Sequence, residues 1–163
     1  MKIPLVYGLY MTLTGLLLTL ALYFLGYHSD AVKLQSAQWI SNIGMLGICV
    51  TFLVLGIKAQ RAQVPVTEDF GYGRALWTGV KIAFFAALFG IVTNFLYVRV
   101  INPGFTDILI QAQLDKMEAK GMSSAQMEQA EKGVRFFMGP IMMSCFVFIG
   151  SLFWGTIFSL ITA

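Results

Sequence analysis

The stretch Leu76–Ile101, LWTGVKIAFFAALFGIVTNFLYVRVI, decides how the whole chain is read. It is apolar almost throughout, carries Lys81 near its start and Arg99 near its end, and stops at Asn102-Pro103-Gly104. An α-helix rises 1.5 Å per residue, so about 20 apolar residues cross the roughly 30 Å of hydrocarbon in a bilayer. The stretch is long enough to span. Proline at 103 disfavours helical geometry at Asn102, so the span ends where local sterics put its end.

Three more segments of this kind lie on either side. One runs from about residue 4 to 26 with no charge, one from about 39 to 57 and closes on Lys58, and one from about 136 to 162 with Pro140 near its start. The N-terminal run follows Lys2 as a signal peptide would, but it is longer than such a run and no small-x-small cleavage site follows, so it is expected to be retained. Hydrophobic residues make up 58% of the 163 residues and charged ones 12%, against roughly 25% charged in a soluble domain. The fold class that follows is an all-α membrane protein: one domain over 1–163, four transmembrane helices, and an amphipathic helical hairpin over 106–134 between helices three and four.

The hairpin is the one polar feature of any size. TDILIQAQLDKMEAKG, residues 106–121, predicts a helix with Thr106 as N-cap and Gly121 as terminator, its apolar face at Ile110, Leu114 and Met117. Ser123 and Gln126 have capping-box spacing and open a second helix, carrying Met127, Ala130 and Val134, that is expected to run into the fourth span. Tyr23, Tyr27, Trp39, Trp77 and Tyr97 flank the spans, where amphipathic rings belong at headgroup depth.

Four crossings put both termini on one side, with Lys2, Lys58, Arg61, Arg74 and Lys81. The other side holds Lys33, Arg99, Lys116, Lys120, Lys132 and Arg135, spread among Asp30, Asp107, Asp115, Glu118, Glu128 and Glu131. The counts of basic residues are nearly equal, and the reading adopted is that both termini are cytoplasmic. A formal charge of +3 points to anionic headgroups and not to nucleic acid.

Chemistry is sparse. No aspartate or glutamate lies within a span, which argues against a proton-coupled antiporter. The single His28 supplies neither a zinc site nor a catalytic triad alone, and Cys49 and Cys145 sit in apolar runs as small hydrophobes. FGYGR, residues 70–74, lacks the remaining glycine, the strand and the Lys-Ser pair of a phosphate loop. No cofactor, metal or enzymatic activity is expected. Arg74 and Lys81 are seven apart, on one helix face, and with Arg61 they are candidate contacts for an anion or a lipid headgroup; Arg99 can snorkel to phosphate depth at the far boundary.

Small residues carry a packing signal. Gly79, Ala83 and Ala87 recur at i, i+4, i+8, and Ala86, Gly90 and Asn94 do the same, spacing that lets helix backbones approach closely. Asn94 can hydrogen-bond to a neighbouring helix. Asn102, Pro103 and Gly104 form a hinge that aims the hairpin.

Three segments in this order, GIKAQR at 56–61, FGYGRALWTGVKIAF at 70–84 and VINPGF at 100–105, resemble a family of bacterial four-span membrane proteins known as domain of unknown function 4199. The resemblance covers nearly the whole chain, with Ala59 and Gln60 departing from the charged residues common after GIK. It implies a four-helix protein of the bacterial inner membrane and no assigned activity. The functional expectation is an accessory or structural subunit, or an assembly partner, of a membrane complex, in contact with lipids and with a membrane-protein partner or copies of itself. The alternatives are an oligomeric small-solute transporter or channel lined by Asn94, Lys81 and Arg74, and an anionic-lipid-binding protein using Arg74 and Lys81.

Overall fold

A computed structural model describes residues 2–163, with residues 124 and 140 in their backbone course only. It is all-helical: α1 (Lys2–Phe24), α2 (Ala31–Arg61), α3 (Tyr72–Leu96) continued by a π-helical turn (Tyr97–Ile101), α4 (Phe105–Glu118), α5 (Ser124–Phe137) and α6 (Pro140–Thr162). α1, α2, α3 with its π turn, and α6 are each long and apolar enough to cross a membrane. The chain is therefore a multi-pass membrane protein of four spans.

α3 is the hub, packed along α6 and α1 and, less extensively, along α2. Its buried residues, Ala75, Thr78, Gly79, Ile82, Ala83, Ala86 and Ala87, are small apart from Ile82, so neighbouring backbones come close without interlocking large side chains. A β-carbon placed on Gly8 of α1 would sit 2.8 Å from Phe85 Cβ and 2.9 Å from the Ala86 backbone nitrogen. Only glycine fits there. Thr12 Oγ1, one turn on, donates to Ala86 O at 3.1 Å and ties α1 to α3. Outward faces carry large apolar side chains, among them Leu17, Ile43, Phe95, Ile149 and Phe153, as lipid-facing helices do.

Several element ends differ from the sequence expectation. α2 begins at Ala31 and not near Trp39, because Asp30 caps it: the carboxylate accepts from the Lys33 amide at 2.8 Å. That amide holds the Asp30 carboxyl below its ordinary pKa. Thirty-one residues make a rod of about 46 Å, well beyond the hydrocarbon thickness. Its polar first turns extend past the expected span of 39–57 and receive α4, with Gln35 Nε2 donating to Ala112 O at 3.3 Å.

Thr106 is not an N-cap. Gly104 takes that position without a side-chain bond, since the turn at Pro103-Gly104 already brings the Phe105 amide to Asn102 O at 3.0 Å. Gly121 does terminate the segment, at φ +78°, where a side chain is strained. Ser123 and Gln126 do form a capping box. The helix they open stops at Phe137; Met138 and Gly139 separate it from α6, with Gly139 extended at φ −61°, ψ 149° and Pro140 opening the last span. Proline lacks the N–H a continuous helix would need, so the chain restarts there.

Candidate functional site

α3 carries polar side chains at both ends, and the two groups are built differently. At its start, Gly71 is extended and accepts from the amides of Arg74 and Ala75 at 3.0 and 3.2 Å. The Tyr72 hydroxyl donates to Leu160 O at 2.9 Å and pins this end to the last turn of α6. Arg74, Trp77, Thr78 and Lys81 then follow at helical spacing on one face. With Pro4 from α1, Gln60 from α2, and Val64 and Phe70 from the α2–α3 connection, they line a crevice of about 250 Å³. A larger hollow of about 410 Å³ is lined by one face of α6 alone, Ile149 to Ile157, and encloses nothing.

Within the crevice the two cations differ. Arg74 Nη1 pairs with Glu68 Oε2 at 2.9 Å and donates to Asp69 O at 3.3 Å. Lys81 has no carboxylate within ion-pairing distance among the described residues. Its ammonium instead sits 5.5 Å from the centre of the Trp77 ring, where the negative face of the indole attracts it. Thr78 Oγ1 donates back to Arg74 O at 2.8 Å, satisfying its hydroxyl within the helix.

Of the candidate anion contacts, then, Arg74 and Lys81 share one cavity. Arg61 is exposed in the last turn of α2 and does not line it. Arg99 is exposed at the opposite end of α3, roughly 37 Å along the axis. The candidate packing residues fall into helix seams. Gly79 lies against Ser159 of α6, Ala83 against Gly155, and Gly90 faces Val147; Ala87 is fully buried. Asn94 is half-buried and makes no side-chain hydrogen bond among the described residues, contrary to the expectation that it bridges helices. The small residues around it bring backbones together without supplying a partner for its amide.

The other end of α3 holds a polar cluster that spacing in the sequence does not announce. Tyr97 begins the π-helical turn, and its carbonyl accepts from the Asn102 amide at 2.8 Å, one residue further along than an α-helix allows. This wider turn carries the Tyr97 ring inward. It is 3% exposed, covered by its own chain. Its hydroxyl bonds His28 Nδ1 from the α1–α2 connection. Asn102, the hinge residue, is buried, and its Nδ2 donates to His28 O at 3.4 Å and to Tyr97 Oη at 3.5 Å.

The donor roles are assigned from the network: Asn102 Nδ2 donates to His28 O and Tyr97 Oη, and the Tyr97 hydroxyl proton has no acceptor other than His28 Nδ1 among the described residues. Tyr97 Oη accepts from Asn102 and passes its own proton toward His28 Nδ1, leaving the imidazole neutral with its hydrogen on Nε2. Burial lowers the His28 pKa in the same sense. Phe105, the first residue of α4, closes the cluster with ring centres 4.9 Å from His28 and 5.1 Å from Tyr97. Tyr23 of α1 packs edge-on to Tyr97 at 6.1 Å. Pro103 and Gly104 are exposed, so of the three hinge residues only Asn102 enters the cluster.

This arrangement can hold the chain; it does not present a reactive group to solvent. Its one sequence signal was the span-ending Asn102-Pro103, and nothing local pairs it with a histidine 74 residues away. Among the described residues no three His, Cys, Asp or Glu side chains are grouped to hold a metal ion, and both cysteines are free thiols.

Comparison with known proteins gives a family and no activity. The family described as protein of unknown function (DUF4199) matches residues 6–163, essentially the whole chain. No curated protein matches, and no solved structure does. The chain belongs to the DUF4199 family.

Proposed function

For a four-span member of that family, we propose a non-enzymatic accessory role: a subunit or assembly partner of a larger complex in the bacterial cytoplasmic membrane, with both termini cytoplasmic. The observation that carries this reading is the α4–α5 hairpin. α4 is fastened to the protruding start of α2, burying Ile110 and Ala112. α5 is joined to it by Arg135, which pairs with Asp107 at 3.8 Å and with Glu131 at 2.9 Å. Yet no side chain described on α5 is buried, and its apolar residues Met127, Ala130 and Val134 are only half-covered. A helix held in place with an incompletely covered apolar stripe suits a partner's surface.

The test is site-specific photo-crosslinking in the native host. A crosslinker at the exposed Gln129 of α5 is expected to trap one discrete membrane protein, and Val134→Glu to abolish the product. Purification in mild detergent as a sharp homo-oligomer, with no discrete product at Gln129, sinks the reading. The transporter alternative finds support in one observation only, the amide of Asn94 within a span, which has no side-chain hydrogen bond among the described residues. Flux in liposomes that Asn94→Leu removes is its signature.

A further inference from the structure

The geometry points to the crevice between α1, α2 and the start of α3 as a binding site for a phosphate group, with Lys81 and Arg74 as its cations. Lys81 carries the argument. It belongs to the third apolar helix, ten residues in from its start, and is half-buried, with the Trp77 ring as its one charge-stabilising neighbour among the described residues. A lysine this near the start of the apolar stretch snorkels its ammonium toward the interface, where an anionic group is its natural counter-ion. Glu68 competes for Arg74, but the remaining polar groups of the crevice include donors that suit an anion.

Arg74 keeps guanidinium N–H groups beyond those spent on Glu68 and Asp69. The Gln60 carboxamide faces the same cavity and has no hydrogen-bond partner among the described residues. Two charged donors and an amide thus converge on a hollow of about 250 Å³, room for a phosphate and the polar carbons attached to it. Pro4, Val64, Phe70 and Trp77 supply apolar wall. Trp77 itself is exposed beside the opening, where a lipid approaching the crevice would meet it.

The charge of the whole chain agrees. The crevice end carries five basic side chains, Lys2, Lys58, Arg61, Arg74 and Lys81, against two acidic ones, Glu68 and Asp69. The hairpin end carries six of each. The entire net charge of +3 therefore sits around this opening. A phosphate diester of a lipid and a free phosphate monoester share the chemistry required, and the experiment separates the two sources.

The full chain is reconstituted in bilayers with Trp39→Phe and Trp154→Phe, leaving Trp77 as the sole indole. Brominated phosphatidylglycerol and brominated phosphatidylcholine are compared as quenchers of its fluorescence. The expected result is a preference for the anionic lipid that falls about five-fold on Lys81→Gln, the effect of one cation near the surface. Lys81→Arg is expected to keep the preference, and Arg99→Gln, at the other end, to leave it intact. Arg74→Gln is a second loss-of-charge variant at an exposed position, and it decides the matter if Lys81→Gln does not fold.

Preference that survives added glycerol 3-phosphate assigns the site to the lipid diester. Preference competed away by glycerol 3-phosphate or inorganic phosphate, dependent on Lys81, assigns it to a soluble phosphate. Equal quenching by both lipids with no response to either phosphate overturns the site. So does a preference unchanged by both charge removals, which would belong to the membrane surface in general.

Discussion

The two ends of α3 solve the same problem in opposite ways. Both must place polar side chains beside hydrocarbon. At Arg74–Lys81 the groups stay at an open mouth, charged, with one cation paired to an exposed acid and the other resting on an indole. Around Tyr97, Asn102 and His28 they are neutral, buried and hydrogen-bonded to one another. An open end can exchange its partner. A closed end can only hold the one it has, so the first is suited to recognition and the second to fixing geometry.

The comparison breaks most visibly if the seam joining the ends fails. Gly8→Leu forces a branched side chain against the Ala86 backbone, which cannot move aside. Overpacking of this kind costs about 3 kcal/mol, at the upper part of its usual range. Thermal unfolding in detergent is expected to shift strongly downward. Lost protection should spread along α1 and α3, while amides around Tyr97 exchange last in hydrogen-exchange measurements.

Tyr97→Phe tests the closed end directly. It removes the hydroxyl that His28 Nδ1 and Asn102 Nδ2 share, leaving buried polar atoms unpartnered at a cost of about 2 kcal/mol. The expected loss is local: α4 undocks and its amides exchange faster, with the lipid preference of Trp77 unchanged. Equal destabilisation at the crevice would show the ends are not independent.

Acid gives a smaller and graded effect. Burial depresses the folded-state pKa of His28 below its ordinary value of 6.5. The unfolded state therefore takes up the proton first, so stability is full above the unfolded pKa and declines as pH falls toward the folded one. The charged groups on the elements packed nearby are Asp30, already satisfied by Lys33, and Asp107, paired to Arg135. As pH falls below the unfolded-state value of about 6.5, exchange from α4 should accelerate beyond its intrinsic pH dependence, and His28→Gln should flatten that excess. A flat wild-type profile would count against the neutral imidazole.

The smallest effect on stability is Glu68→Gln. The Arg74–Glu68 pair is more than half exposed, and such pairs contribute less than about 0.5 kcal/mol after screening. The same change frees Arg74, so it should sharpen the open end by raising the anionic-lipid preference while unfolding stays where it was.

The spans, the hinge and the pairing of Arg74 with Lys81 were legible because each is encoded within one helix length: apolar runs of sufficient size, a proline after Asn102, and two cations seven apart. Family membership was legible in three short motifs. What spacing could not supply was contact between distant segments. His28 meets Tyr97 across 69 residues, and the π-helical turn that aims the ring has no local signature in YVRVI. The early start of α2 was hidden for a related reason. Gln35, Ser36 and Gln38 break the hydropathy of a span, yet an Asp30 cap and the docking of α4 make them helical. The interruption at Met138–Gly139 was marked by Pro140, but an apolar run on both sides concealed it.

The overhang of α2 has a mechanical meaning. Because the hairpin rests on the first turns of an unbroken helix and is tied through Phe105 to the end of α3, its position follows the lean of those helices. A beam of about 46 Å pivoting near its middle moves its tip about 4 Å for each 10° of tilt. Tilt is what a span adjusts when the bilayer thickens or thins. A change in the tilt of α2 would therefore be carried outward to the hairpin.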